Sequence, residues 1–300
     1  MIELPLTFMI PVKIDTPDRI RNFRVVTSHL LHNYDCPIII TEADTESKLK
    51  GLIPDDSRVT YRFIRLEEND PFHRTKYLNE MTAMSKTMCV ANYDIDVMFN
   101  PQSIAEAVRL IVEDGADVVY PFGEMEMDQY QFRIKDDVSP DQLLESNFHH
   151  TPQTALDSGF VDTVVNWTTF GGHCMIFNID SYFDGFLENE EFVSWGPEDA
   201  ERHYRFRTLG FDLRHMSGNK VCHLEHATSV DSGRENPFLP KNESLWAEIQ
   251  NITGTYLPSN DEGIPDPLDI GKPVESNALR EYYESNFDYY KKYERPKVES

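Results

Sequence analysis

LTFMIPVKIDTPDRIRNFRVVTSHLLHNYDCPIIITEAD, residues 6–44, decides the fold. It opens with a compact apolar run, residues 6–12, with Pro11 near its end. Thr16-Pro17-Asp18 then reads as a helix start, with Pro17 at the first helical position, and the helix runs to about Asn33. Residues 37–41, PIIIT, read as a buried strand ending in the acidic cluster Glu42-Ala43-Asp44. The same alternation continues downstream. Residues 59–66 alternate, residues 75–90 read as helix, and residues 93–97 read as a strand end carrying two aspartates. Residues 101–115 form an amphipathic helix (Ile104, Ala107, Val108, Ile111) stopped by Gly115, and residues 116–120 another strand. Strands alternating with helices predict an α/β fold with a mostly parallel sheet flanked by helices. Ligands of such sheets gather at the carboxyl ends of the strands, where Glu42, Asp44, Asp94 and Asp96 all fall.

Residues 121–170 break the alternation and are rich in Met, Gln and Asp, which suits an excursion over the sheet edge. Order resumes with a strand at 174–178, a helix opening at Pro197, and a short strand pair at 213–216 and 221–225. From about Asn236 proline, asparagine and glycine dominate as far as Pro273, followed by a Tyr-rich helix at 278–293. The simplest division is a catalytic domain over residues 1–235 and a C-terminal extension over 236–300, loop-rich and then helical.

The composition narrows the partners. Of 300 residues 40% are hydrophobic and 12% aromatic, enough for a real core. The net charge of -24 sets up a field that repels nucleic-acid backbones and anionic lipid headgroups. A phosphorylated ligand therefore needs a local cation, from Lys, Arg or a bound metal. The four cysteines (Cys36, Cys89, Cys174, Cys222) lie far apart and read as buried thiols of a reducing, cytoplasmic compartment. The N-terminal run has no basic flank or small-residue cleavage site and reads as a first strand. No stretch approaches the roughly 20 apolar residues of a membrane span.

Four groups of residues can do chemistry. In extended backbone residues i and i+2 share a face, so Asp94 and Asp96 can address one cation. Mg²⁺ and Mn²⁺ favour such hard oxygen ligands and keep positions open for phosphate and water. A chain this acidic gives about two D-x-D triplets by composition alone. The one present gains weight only from its place at the end of an apolar strand, and a solvated loop carries such a triplet equally well. In Ser194-Trp195-Gly196-Pro197-Glu198-Asp199, proline and two acids make ordinary helix-start chemistry. Trp195-Gly196 goes beyond it: an aromatic plate beside a position where a ligand can approach the backbone. A carboxylate there suits general-base work on a hydroxyl. In Cys222-His223-Leu224-Glu225-His226, strand alternation places His223 and Glu225 on one face and Leu224 and His226 on the other. One imidazole beside two carboxylates can complete a Mn²⁺ set, though a lone histidine is more often a satisfied polar residue. No second Cys/His pair at zinc-site spacing lies nearby. Lys13, Arg19, Arg74 and Lys76 sit near strand ends or helix starts and could hold a diphosphate, although each alone is an ordinary surface charge.

In this order the four groups resemble the GT-A glycosyltransferases, a Rossmann-like fold. Within them they are similar to the β-1,4-galactosyltransferase-like group and its chondroitin-polymerase-like relatives. The resemblance is carried by FHRTKYLNE (72–80) leading into YDIDVMFNP (93–101), by FGGHCMIFN (170–178) running on to FVSWGPEDAERHYR (192–205), and by HLEHATSVDSGRENPF (223–238). It covers roughly residues 5–238, and W-G-P-E-D is its specific block.

The resemblance implies a role for each matching residue. Asp96 matches the principal metal aspartate, with Asp94 beside it contacting metal and nucleotide-sugar. His226 matches the metal histidine of a closing loop, and His223 stands where those enzymes use a methionine ligand. Trp195 matches a mobile-loop tryptophan near the diphosphate, and Asp199 the catalytic base. Glu198, Gly196 and the Gly172 of the Gly-Gly strand fall among the sugar-binding positions. Pro11, Lys13 and Arg19 lie in the first nucleotide-binding loop, with Lys13 where an arginine is expected. Glu42 and Asp44 fall where uridine contacts are usual, and Arg74 and Lys76 lie on the nucleotide-contacting helix.

The implied reaction is an inverting, Mn²⁺- or Mg²⁺-dependent transfer of a hexose or N-acetylhexosamine, galactose or N-acetylgalactosamine first. It runs from a UDP-sugar to a glycan or other hydroxyl acceptor, as in polysaccharide biosynthesis. The membrane anchor and disulfides of the animal enzymes are not read here, which points to a cytoplasmic relative. Two rivals remain. A sugar nucleotidyltransferase would open with a Gly-rich phosphate loop, which IPVKIDTPDR lacks. A carbohydrate-binding or scaffold protein would keep the fold without catalysis, against which Asp94, Asp96, Asp199 and His226 argue together.

Overall fold

The computed structural model describes residues 1–123, 129–167, 171–227, 229, 233–253 and 276–298. In chain order the first half runs β1 (Ile2–Glu3), β2 (Leu6–Val12), α1 (Pro17–Asn33), β3 (Tyr34–Asp35), β4 (Ile38–Asp44), β5 (Val59–Arg65), α2 (Arg74–Met84), β6 (Cys89–Tyr93), β7 (Val97–Phe99), α3 (Pro101–Val112) and β8 (Val118–Tyr120). The second half runs β9 (Gln129–Ile134), α4 (Pro140–Glu145), α5 (Pro152–Asp157), β10 (Val161–Trp167), β11 (Cys174–Asn178), α6 (Ile179–Asp184), α7 (Glu198–Thr208), β12 (Leu213–His215), β13 (Val221–Leu224), α8 (Leu239–Thr253) and α9 (Ser276–Asn286), then a 3₁₀ turn, Tyr289–Lys292.

Seven strands form the main sheet in the order β12-β8-β11-β6-β2-β4-β5. β6, β2, β4 and β5 run parallel, as does β12 with β8, while β11 is antiparallel to both its neighbours. Every residue of β2 and of β4 is buried, as expected of parallel strands covered on both faces. The fold class is therefore the predicted one, a mixed α/β layer with a largely parallel sheet. α1 starts as read, with Pro17 at its first position and Asp18 in its first turn, although the Thr16 hydroxyl makes no capping bond. β2 pairs with β6 only as far as Met9–Asn92, so Pro11 lies where that ladder ends and the chain opens.

The excursion is more ordered than its composition suggests. β9 and β10 pair with each other, and β9 with β13, in a second sheet of order β10-β9-β13-β7. Residues 124–128 and 168–170, Phe170 of the Gly-Gly stretch among them, fall outside the described residues, as do 228, 230–232 and 254–275.

Several local readings are corrected. The helix expected over 75–90 stops at Met84, and Cys89-Val90 join the central sheet between β2 and β11. A short apolar run fits either state, and the sheet recruits it. The single strand expected at 93–97 is two strands: β6 ends at Tyr93, a turn carries residues 94–96, and β7 enters the second sheet. β12 and β13 do not pair; β12 extends the main sheet and β13 the second. Pro197 stands at the cap of α7, one position before its first turn. The region after Asn236 holds a fifteen-residue helix, α8, that its proline and asparagine content concealed. Its signal was the helical spacing of Asn242, Leu245-Trp246 and Ile249, whose buried members face α7 and α9. The last helix ends at Asn286 rather than at 293.

The main core lies around the seven-stranded sheet. A second cluster joins Phe186, Phe192 and Tyr204 to Trp246, Ile249, Leu279 and Tyr283, so α8 and α9 are packed onto α7.

Candidate active site

The loops at the carboxyl ends of β2 and β6, the first turns of α1, α2 and α7, and the end of β13 enclose one cavity of about 240 Å³. Pro11, Lys13, Arg19, Arg74, Asp94, Asp96, Trp195, Glu198, Asp199, His223 and His226 all line it. They are drawn from segments up to 215 positions apart (Pro11 to His226), so tertiary structure alone brings them together.

Asp96, His223 and His226 form the tightest group. One ligating atom from each lies within 4.8 Å of the others. His226 Nε2 is 3.0 Å from Asp96 Oδ2, His223 Nε2 is 3.6 Å from Asp96 Oδ1, and Arg19 Nη1 is 3.6 Å from Oδ2. The two histidines meet because β13 ends at Leu224, releasing His226 from the strand alternation that would have put it on the opposite face. His226 Nδ1 donates to the carbonyl of Ala227 at 2.9 Å, which leaves Nε2 as the nitrogen facing Asp96. Burial alone would raise the Asp96 carboxyl, but His223, His226 and Arg19 outweigh it and hold it below the usual carboxylate range. Burial lowers His223 to about 4, so it is neutral and able to ligate at pH 7. Its Nδ1 is buried without a hydrogen-bond partner among the described residues. One ionised carboxylate and two imidazoles make a borderline donor set that fits Mn²⁺ and, equally by chemistry, Fe²⁺ or Zn²⁺.

Asp94 does not join that group. Its Oδ1 accepts from Arg74 Nη2 at 2.8 Å and its Oδ2 from the backbone N–H of His173 at 3.0 Å. With a turn at 94–96 in place of a strand, the two aspartates no longer share a face, and Asp94 links α2 to the start of β11.

Asp199 stands across the cavity. Its Oδ1 accepts from the buried Arg202 and lies 3.5 Å from Arg74 Nη1. Arg202 is fixed in turn by Glu188 at 2.5 Å, and Glu188 by Tyr182 and Asn92. A continuous polar chain thus runs from the central sheet through Asp199 and Arg74 to Asp94. The other oxygen, Oδ2, lies beside Gly172, where a Cβ would come within 3.0 Å of it. Gly172 also has φ +77, so the close approach and the backbone both call for glycine. Glu198 is only 4% exposed; burial first, then Asp199, pushes its carboxyl up to about 8. Trp195 is 37% exposed at the cavity mouth, after Ser194 at φ +61.

Other expected residues lie off the cavity wall. Glu42 accepts from Tyr61 at 2.5 Å and from the Lys48 N–H at 2.7 Å, and Asp44 from Lys48 Nζ at 2.9 Å. Both shape the turn after β4. Lys76 is two positions from Arg74 on α2 and so points away, 4.0 Å from Glu80. Gly172 lies beneath Asp199, and Gly196 packs against Asn242. Sequence reading missed Asp15, which pairs with Arg19 at 2.8 Å and was legible as an i, i+4 pair. It also missed His173, Glu188 and Arg202, for which no local signal exists.

No family model matches the chain, and no curated protein matches it. Among solved structures it is similar to a crystal structure of GalNAc-T7 with UDP, GalNAc and Mn²⁺, at a TM-score of 0.54 and 12% identity. The match covers 82% of this chain and 48% of that one, so the chain spans about half the length of that structure. The likeness is one of fold: a largely parallel sheet flanked by helices, of the GT-A glycosyltransferase type.

Proposed function

We propose that the chain is a metal-dependent glycosyltransferase of the β-1,4-galactosyltransferase-like kind. It would transfer a hexose or N-acetylhexosamine, galactose or N-acetylgalactosamine first, from a UDP-sugar to a hydroxyl of a glycan or glycoconjugate. The observation that carries this reading is a single cavity holding the Asp96–His223–His226 group, the cations Lys13, Arg19 and Arg74, and the carboxylate of Asp199. Three cations line this strand-end cavity alongside Asp15, Asp94, Asp96, Glu198 and Asp199, so a bound metal would supply the further positive charge that a diphosphate needs there.

Asp96, His223 and His226 would hold Mn²⁺, or Mg²⁺ in its place. When bound, the ion supplies Lewis-acid stabilisation of the charge that develops on the departing diphosphate. Arg74 and Arg19 would hold that diphosphate while staying paired with carboxylates that fix their direction. Asp199 Oδ2, the oxygen away from the arginines, would accept the proton of the attacking acceptor hydroxyl. One displacement on the opposite face inverts the anomeric centre without a covalent nucleophile. Trp195 would cover the donor and exclude water, whose attack is the competing reaction. Glu198, neutral at pH 7, can donate a hydrogen bond to a sugar hydroxyl.

In this reading residues 1–235 are catalytic and 236–300 an extension. The protein works in the cytoplasm, as its four unpaired, buried cysteines suggest. No described helix is long and apolar enough to cross a membrane.

The test is UDP release from a panel of UDP-sugars with Mn²⁺, Mg²⁺ or EDTA. Metal-dependent turnover of one donor supports the proposal and names the sugar. Mn²⁺-dependent UDP binding without turnover, even with glycan acceptors, would favour the carbohydrate-binding alternative. No UDP binding at all would overturn the reading.

A further inference from the structure

A second histidine group lies at the other end of α1. Arg19, in the first turn, lines the cavity; His32, in the last, is about 20 Å further along the helix axis. There His32 meets His149 and His150, from the segment between α4 and α5. One ring nitrogen from each lies within 4.8 Å of the other two. The His32 and His150 rings stack at 3.7 Å between centroids, and His149 stands edge-on to both, at 5.6 and 4.6 Å.

The helix also holds the backbone of the two-histidine segment. His29 Nδ1 donates to the carbonyl of His149 at 2.5 Å, and Asn33 Nδ2 to that of His150 at 2.9 Å. His29, His32 and Asn33 occupy one face over one turn, so α1 fixes the segment and presents a third imidazole to it. Nδ1 of His149 is buried and has no hydrogen-bond partner among the described residues, a cost that a ligand would remove. The group sits at the carboxyl end of α1, where the helix dipole favours a cation. Burial, then the neighbouring rings, lower His149 to about 4, and burial, then His32, lowers His150.

We propose that His32, His149 and His150 form a second metal site, for a borderline transition-metal ion with Zn²⁺ foremost, that fastens the α4–α5 segment to α1. The donor set is all imidazole, which suits Zn²⁺, Cu²⁺ or Ni²⁺ and not Mg²⁺; it differs in kind from the Asp96 group. Tetrahedral zinc at ordinary Zn–N lengths needs nitrogens about 3.3 Å apart with their in-plane lone pairs converging on the ion. The His32 and His150 rings, stacked 12° from parallel, would therefore have to unstack on binding, a movement open to the exposed His32. Water takes the fourth position.

The test uses the full chain stripped with EDTA and then titrated with Zn²⁺ alone, with bound metal counted by elemental analysis. Co²⁺ serves as a spectroscopic stand-in. Since the Asp96 group also takes Zn²⁺, the comparison is between wild type, His32→Gln and His150→Gln. The wild type should bind one Zn²⁺ more than either variant, or bind it tighter by roughly two orders of magnitude. The thermal shift with UDP and Mn²⁺ should be unchanged in His32→Gln, a substitution at an exposed position that the fold tolerates. Equal zinc stoichiometry and equal affinity in all three proteins would reduce the histidines to a packing contact and overturn the proposal.

Discussion

At the scale of single residues, Asp199 and Glu198 are neighbours with opposite environments. Asp199 is held by two arginines through one oxygen, while Glu198 is buried with Oε2 unpartnered among the described residues. Asp199→Asn should bind UDP with Mn²⁺ almost as the wild type does, yet lose about 10²–10⁴-fold in transfer. Retained turnover in the UDP-release assay would sink the base assignment. Asp96→Asn should abolish the Mn²⁺-dependent part of UDP binding, read by titration calorimetry with and without metal. Glu198 gives a pH signature. Its folded value, about 8, lies above the ordinary glutamate value of 4.5, so the folded state binds the extra proton between the two. Its stabilising contribution is complete below pH 4.5 and is lost as pH rises through 8. Between pH 5 and 8 the wild type should lose on the order of 3 kcal/mol more stability than Glu198→Gln. Urea melts at pH 5, 6.5 and 8 measure this, and parallel losses in the two proteins would contradict it. Residue types were legible in the sequence here; environments were not. Nothing local marks Glu188 or Arg202 as the groups that fix Asp199.

At the scale of elements, the segment bearing Trp195 depends on α8. Asn242 accepts from the Val193 N–H at 3.3 Å and donates to the Val193 carbonyl at 2.9 Å and the Trp195 carbonyl at 3.3 Å; Asn236 also donates to Trp195. A Cβ on Gly196 would fall 2.7 Å from Asn242 Nδ2 and 3.0 Å from its Cβ. Gly196→Ala should therefore push α8 away, costing about 1–3 kcal/mol of stability. It should also raise the donor KM more than it lowers kcat, because it misplaces the covering loop and spares the base. Denaturant melts with steady-state kinetics check both; an unchanged KM would mean that α8 does not position the loop. The helix start at Pro197 was legible. Its support by a helix nearly fifty residues later was hidden in a stretch that reads as loop.

At the scale of the whole molecule, the C-terminal extension shares a core with α7. Tyr283 donates to Glu201, which pairs with Arg205 at 2.7 Å, and the Arg205 guanidinium lies 5.2 Å from the rings of both Tyr283 and Phe206. Ending the chain at residue 275 would strip α9 from this buried pair and bare Phe186 and Trp246. Such a chain should melt well below the full-length protein and bind a hydrophobic dye, because it loses the apolar burial that Leu279, Tyr283 and Phe287 share with Phe186 and Trp246. An unchanged melting temperature would show that the extension folds apart from the catalytic body.

The sequence by itself determined the layer. The runs at β2 and β4, the Pro17 helix start and the periodicity of α3 are local patterns, and local patterns fix secondary structure and hence an α/β sheet whose strand ends gather ligands. Acids, cations and imidazoles at strand ends and helix starts were visible as types, Glu42, Asp44, Arg74, Asp94, Asp96, Asp199, His223 and His226 among them, and the resemblance alone gave Asp96, Asp199 and His226 their expected roles. Only the tertiary structure decided that Asp94 faces Arg74 while Asp96 faces two histidines, that Glu42 and Asp44 turn inward, and that His223 and His226 meet. Those outcomes depend on where a strand stops and which distant segment lies against it. Asp96 meets histidines more than a hundred positions away, and even Asp94 and Arg74, 20 positions apart, meet only because a strand end and a helix start are packed together, which no local pattern encodes.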